Sequence, residues 1–227
     1  MSEMWLAAII WVVSHLGMSS TPLRGILVGV LKPGGYLALY SLVAAAALVY
    51  LIYTYNNVPR FDYLWLPNPD LYWLAKLTMP IAFILLLGGF LVKNPTNVGM
   101  AIDDPDSAAD LARGVTRITR HPLQWAIVIW GAGHVVANGD WVSIIFFSSF
   151  IVLSGLGGWL IDRKKAVTLG PGWAPYAAAT SNIPFLAIAQ GRNKLVWSEL
   201  WLPILIGLVA HGLVYYFHEA ISGAVIV

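Results

Sequence analysis

The chain has 227 residues, of which 59% are hydrophobic and 11% charged, against about 45–50% and about 25% in soluble domains. With a mean hydropathy of +0.73, it lacks the polar surface that a water-soluble globule needs, so its composition specifies a polytopic membrane protein. A net charge of +2 with no basic, aromatic-interleaved run gives no case for a nucleic-acid partner. The lack of cysteine excludes disulfides, thiol nucleophiles and Cys-ligated metals.

A membrane span takes ~20 mostly apolar residues, and six segments come near that: 4–18, 36–55, 72–92, 122–137, 141–160 and 200–217. The first follows Glu3, with no positive n-region and no small-residue cleavage site, and reads as a retained helix rather than a signal peptide. The alanines of 44–47 and Gly88, Gly89, Gly131, Gly133, Gly155, Gly157 and Gly158 predict close helix approach. Asn138-Gly139-Asp140 is a tight-turn sequence, which makes the fourth and fifth segments an antiparallel hairpin. The expected fold is all-α: one domain over 1–227, an integral membrane bundle of about six transmembrane helices with interfacial cytoplasmic segments.

Charge orients this bundle. Arg24 and Lys32 lie between spans one and two, and Lys93, Arg113, Arg117 and Arg120 between three and four. Arg163, Lys164, Lys165, Arg192 and Lys194 lie between five and six, leaving Arg60 and Lys76 for the other side. By the positive-inside rule the three basic connections face the cytoplasm and both termini the outside, which suits a bacterial cytoplasmic membrane. In the second of these connections, Asp103-Asp104-Pro105-Asp106 and Asp110 are expected to cap an interfacial helix near 107–114, a better reading than metal binding. In the third, Gly170-Pro171-Gly172-Trp173 and Pro175-Tyr176 read as turns with aromatic anchors.

Ionisable residues inside a membrane are costly, so each histidine needs a reason to be there. His15 and His121 fall at the inner level; His134, ~20 Å further along the helix that His121 opens, falls at the outer one with His211 and His218. Two imidazoles from different helices at one depth can hold a haem iron from both faces, and either level supplies a pair. The inner one has Arg24, Arg117 and Arg120 nearby, whose guanidinium forks suit propionates or another anion. The plainer reading of His134, His211 and His218 is a hydrogen bond to a neighbouring helix, and of Arg117 and Arg120 a lipid-headgroup contact. Trp125, Trp130, Phe146 and Phe147 either line a cleft or simply pack. Asp162 and Arg163 read as a local ion pair or, for Asp162, as a cavity-facing group, and Asp140 closes its turn.

Gly114-Val115-Thr116-Arg117-Ile118-Thr119-Arg120-His121-Pro122, followed by Trp125, Trp130, His134 and Asn138-Gly139-Asp140, resembles the NnrU family of bacterial membrane proteins. His15-Leu16-Gly17-Met18-Ser19-Ser20 with Leu23-Arg24, Asn94-Pro95-Thr96, Trp159-Leu160-Ile161-Asp162-Arg163 and Thr180-Ser181-Asn182-Ile183-Pro184-Phe185 carry the resemblance through nearly the whole chain. The family's relatives include the 15-cis-zeta-carotene isomerases of plants and cyanobacteria. The resemblance implies haem b with His15 and His121 as its iron ligands; Arg24, Arg117, Arg120 and His134 stand beside them as candidate further cofactor contacts. It implies a hydrophobic polyene drawn from the lipid bilayer as substrate, and an electron donor that keeps the haem reduced. Bacterial members were named for a proximity to nitrogen-oxide metabolism, which implies as an alternative a haem-binding redox sensor or accessory protein. Gly-x-x-Arg-x-x-Arg-His-Pro, then an acidic residue, Gly-x-x-Trp-x-x-Tyr and Ile-Pro-Phe also resemble isoprenylcysteine carboxyl methyltransferases, which bind S-adenosylmethionine. Asp162-Arg163 stands where that family has a glutamate pair.

Overall fold

The computed structural model describes residues 1–223, and among these every regular element is helical apart from one isolated bridge between Tyr63 and Asp140. The long helices are α1 (Ser2–Ser20), α2 (Pro22–Asn57), α3 (Pro69–Gly88), α4 (Pro122–Asn138) and α5 (Trp141–Thr168). Two short helices, α6 (Trp173–Ala179) and α7 (Leu186–Ala189), precede α8 (Trp201–Tyr216) and α9 (His218–Ser222). A helix stands at each of the six apolar segments. Three of them, α2, α3 and α5, are both long and apolar enough to cross a membrane; α8 is apolar over 16 residues.

Local chemistry sets the boundaries. Thr21 caps α2, its hydroxyl accepting from Leu23 N at 3.2 Å, and Pro22 fills the first turn, where no N–H is needed. Asn68 caps α3 in the same way, ahead of Pro69. Lys32 breaks α2 with φ 62° and ψ 165°, because Pro33 disfavours helical geometry in the residue before it. The second apolar segment therefore begins just past a kink. At the α4–α5 turn, Gly139 adopts φ 71°, and a Cβ there would also meet Trp65 O at 2.1 Å, so only glycine fits. Asp140 then caps α5 by accepting from Ser143 N at 2.8 Å, and Arg60 lies 3.7 Å from its carboxylate. The hairpin and the turn-closing role of Asp140 are as the sequence predicts.

The helices lie side by side in the order α2, α1, α5, α4, α3, α8. Met4, Ala7, Trp11, Leu51, Phe146 and Phe147 form the core shared by α1, α2 and α5. A second cluster, built on Leu85, Val115, Ala126 and Leu200, joins α3, α4 and α8. Gly131 lets α4 settle on α5, since a Cβ there would stand 2.8 Å from Ile151 Cγ1. Gly155 and Gly157 face open space and mediate no close approach, unlike Gly158.

The two ends of the bundle differ. At one, the connection 58–68 folds over the hairpin turn, with Leu64 N donating to Gly139 O and Trp65 Nε1 to Val136 O, both at 2.9 Å. The other end carries a layer of irregular chain, 89–121 and 169–200. The helix expected near 107–114 is here two separate 3₁₀ turns, Ala108–Leu111 and Gly114–Arg117. The first ends at Leu111, and Gly114, at φ 55°, opens the second with a left-handed backbone that no continuous helix permits.

Candidate functional site

Within that irregular layer, the stretch 119–122 is drawn into the bundle. Thr119 and His121 are fully buried. Pro122 starts α4, and His121 before it is held out of helical geometry at φ −117°, ψ 56°. Its ring reaches α5, where Nε2 lies 2.7 Å from Asp162 Oδ1. The same carboxylate accepts both arms of the Arg120 fork, Nε at 2.9 Å and Nη2 at 2.7 Å. A carboxylate paired with Arg120 acts as an acceptor, so Nε2 of His121 carries the shared proton. Nδ1 is left as a buried nitrogen with no hydrogen-bond partner.

The node is braced from four sides. Asn94 Nδ2 and Thr96 Oγ1 donate to Arg120 O at 3.1 Å and 2.9 Å. Asn94 Oδ1 in turn accepts from the buried Tyr176 hydroxyl at 3.2 Å. Burial pushes the Tyr176 phenol far above its ordinary range, which keeps it a donor. The Arg120 guanidinium sits 5.7 Å from the centre of the Trp173 ring. On the fourth side Asn182 O accepts from Thr119 Oγ1 at 2.5 Å and from Trp125 Nε1 at 2.8 Å. The aromatic anchors read from Trp173 and Tyr176 thus brace the site, as a buried platform under Arg120.

A second latch lies one helical turn away in sequence. Glu199 receives the Arg117 fork at 2.7 Å and 2.9 Å, and Gly114 N at 2.7 Å, while Arg117 Nη1 donates to Asn193 Oδ1 at 2.9 Å. The Arg117 hydrogen bonds hold the Glu199 carboxyl below the usual carboxylate range, and they push the Arg117 guanidinium upward. A lowered carboxyl value means stabilisation that is complete above the unfolded value and lost as pH falls through the folded one. Thermal midpoints of the wild type and of Glu199→Gln should therefore differ at neutral pH and converge on acidification below about pH 4. A gap that stays constant with pH would remove the ionic role of Glu199.

The sequence-predicted residues fall into separate settings. Arg120 and His121 share one carboxylate, and Arg117 is engaged by Glu199, so both arginine forks are occupied within the protein. Arg24 stacks over Tyr36 at 5.5 Å. Asp162 and Arg163 do not pair; adjacent helix residues face apart, and Arg163 instead covers the Trp159 ring at 3.8 Å. His15 lies between Trp11 and Tyr40, ring centres 3.9 Å and 5.9 Å away, and shares none of these neighbours with His121. His134 is stacked on Phe147 at 4.7 Å, with the His218 ring 6.5 Å away; His211 packs against Phe83. Phe146 and Phe147 belong to the buried core rather than to a cleft, and Trp130 packs edge-on against Phe147 and Phe150. Trp125 lines a cavity of about 100 Å³ between α4 and α5, with Gln124, Ser154 and Asn182.

An axial ligand needs one ring nitrogen anchored and the other presented. His15 and His134 meet that need as they stand, each with Nδ1 2.8 Å from the carbonyl one turn back, Trp11 O and Trp130 O, which leaves Nε2 over. His121 is wired the other way, its Nε2 committed to Asp162, and it offers Nε2 only when that bond is given up. The donor chemistry of the chain therefore fits a histidine-ligated iron. The cavity beside Asn182 is smaller than the ~300–1,000 Å³ of ordinary ligand pockets, and His15 stands half-buried on α1, away from it.

Membrane-length apolar helices closed at one end by a buried His–Asp–Arg node describe a polytopic helical protein with a built polar site. The chain belongs to the NnrU family, whose profile ("NnrU protein") matches residues 3–226. Over 82 residues it is 35% identical to a protein named 15-cis-zeta-carotene isomerase, chloroplastic, from Zea mays, and 34% identical to its namesake from Arabidopsis thaliana. Each alignment covers 36% of this chain and 22% of the relative, so the match spans about a fifth of those proteins. No solved structure gives a significant match.

Proposed function

We propose that this protein is an integral membrane cis–trans isomerase of a conjugated polyene, of the 15-cis-zeta-carotene isomerase kind, working with haem b. The observation that carries this reading is the similarity to the two plant isomerases, in a chain whose histidines suit iron ligation. All six apolar helices cross a bacterial cytoplasmic membrane in this reading, with both termini outside and the His121–Asp162 node at the inner surface. The substrate reaches the protein through the bilayer, and an electron donor keeps the cofactor reduced.

Bound haem would supply electron density to a double bond, lowering its order and hence the barrier to rotation. The chain's own residues do the rest. His15 and His121 would hold the iron, His121 after release of Nε2 by Asp162; His134 is the alternative to His121, its Nε2 already uncommitted. Arg120 then retains Asp162, so the carboxylate stays paired when the imidazole leaves. The apolar faces of the helices exclude water and align the hydrocarbon.

The methyltransferase reading fares worse, because Asp162 engages both Arg120 and His121 and leaves neither free for S-adenosylmethionine. The test is co-expression in the dark with enzymes that make 15-cis zeta-carotene. Loss of the 15-cis isomer supports the isomerase; an unchanged isomer pattern from a red protein with a Soret band would leave the sensor or accessory reading standing instead.

A further inference from the structure

The connection from α6 to α7 is irregular backbone, yet most of its carbonyls, with the last two of α6, are matched within the protein. Those of Ala178 and Thr180 accept from the Arg192 guanidinium, and that of Ala179 from Asn193 Nδ2 at 2.8 Å. Ser181 O accepts from Arg120 N at 2.9 Å, and Asn182 O from Thr119 and Trp125. Ile183 O accepts from Ser181 Oγ at 2.7 Å and Leu186 N at 3.3 Å. A loop in water has no need of such pairing, because solvent satisfies exposed carbonyls. Irregular backbone at membrane depth requires it.

The depth of the loop agrees. A Cβ on Gly158 would stand 3.3 Å from Asn182 Nδ2, and Trp125, bonded to Asn182, lies in the first turn of α4. Gly158 belongs to the apolar run 141–160, so Asn182 sits level with that run and not beyond its end. On the same stretch of α5, Leu156 and Trp159 are 48% and 50% exposed. The loop's outward side is apolar too, with Ile183 56% and Phe185 50% exposed. Phe185 takes φ 63°, a left-handed backbone that a bulky residue adopts only when its surroundings fix it. Phe185 N donating to Ile118 O at 2.8 Å is what fixes it.

We propose that residues 180–186 form a re-entrant lip that seats Ile183 and Phe185 among the acyl chains of the bilayer, beside the ends of α4 and α5 that carry the His121–Asp162 node. The lip is continuous with the lipid-facing surface of α5, and the inference rests on α5 spanning the membrane. Lipid then presses the segment carrying Asn182 against Trp125 and Gly158, so the bilayer itself completes the packing around His121.

The chain contains no cysteine, so Ile183→Cys and Phe185→Cys each provide a single spin-label site in the full-length protein. In phosphatidylcholine–phosphatidylglycerol vesicles, collisions with oxygen and with a water-soluble nickel chelate report lipid and water respectively. Leu156→Cys on α5 sets the lipid reference and exposed Asp106→Cys the water reference. The expected result is an oxygen-to-nickel ratio at 183 and 185 that matches Leu156→Cys. A ratio matching Asp106→Cys would overturn the proposal, as would low access to both reagents, which signals a protein partner over the loop. If Leu156→Cys itself reads as water, the spanning assignment of α5 fails, and the lip with it. Ile183→Cys decides the matter even if the strained position 185 tolerates no change, because position 183 has ordinary backbone geometry.

Discussion

Asp162→Ala should lower the thermal midpoint of the solubilised protein by about 5–10 °C, followed by tryptophan fluorescence. The substitution strips the partner from an arginine fork that is 14% exposed and from an imidazole that is fully buried. Removing one member of a buried pair costs about 3–5 kcal/mol. Residual exposure of Arg120 and Asp162 lets water screen part of that loss, which leaves about 2–3 kcal/mol. Asp162→Asn keeps one acceptor oxygen but turns an amide toward the guanidinium, so it should fall between the wild type and Asp162→Ala. Arg163→Ala serves as the neighbour control. It deletes a surface cation–π contact with Trp159, worth less than about 1 kcal/mol, and should leave the midpoint nearly in place. Equal losses for Asp162→Ala and Arg163→Ala would mean that the node on α5 contributes nothing specific.

What could be read from the sequence follows from which interactions are local. An apolar run satisfies its own backbone only as a helix, so a helix stands at every one of the six segments. The hairpin at 138–140 is legible because its turn chemistry is local: Gly139 takes the left-handed φ of 71°, and Asp140 accepts from Ser143 N three residues on. The polar layer is not, because its pairs are made across the fold: Arg120 meets Asp162 from 42 residues away, and Arg117 meets Glu199 from 82. No spacing rule connects such residues. The charge pattern misleads there, pairing Asp162 with its neighbour Arg163, and nothing in the sequence marks Glu199 as the partner of Arg117. The placement of His15 and His121 at one level came from helix ends alone, and this says nothing about which ring nitrogen each presents.

That last distinction gives the histidines unequal expected effects. Purified with bound haem, His15→Ala should lose most of its Soret absorbance or pass from low to high spin, since nothing but Trp11 O holds its Nδ1 and no other donor replaces its Nε2. His121→Ala should also lower haem content if His121 is the second ligand, and here the structure adds a competition. If iron is held through Nε2 of His121, it competes with Asp162 for that nitrogen, and weakening the carboxylate should favour iron. Asp162→Asn, which keeps the shape and loses the charge, should then bind haem more tightly than the wild type despite being less stable as a fold. The opposite sign of these two effects separates ligand competition from general damage, which would lower both together. If His134 is the second ligand instead, His121→Ala keeps its haem, His134→Ala loses it, and Asp162→Asn leaves affinity unchanged, because the Trp130 carbonyl rather than a carboxylate anchors that ring. Full haem retention in His15→Ala would remove the site from α1 altogether, and with it any ligation by the inner pair.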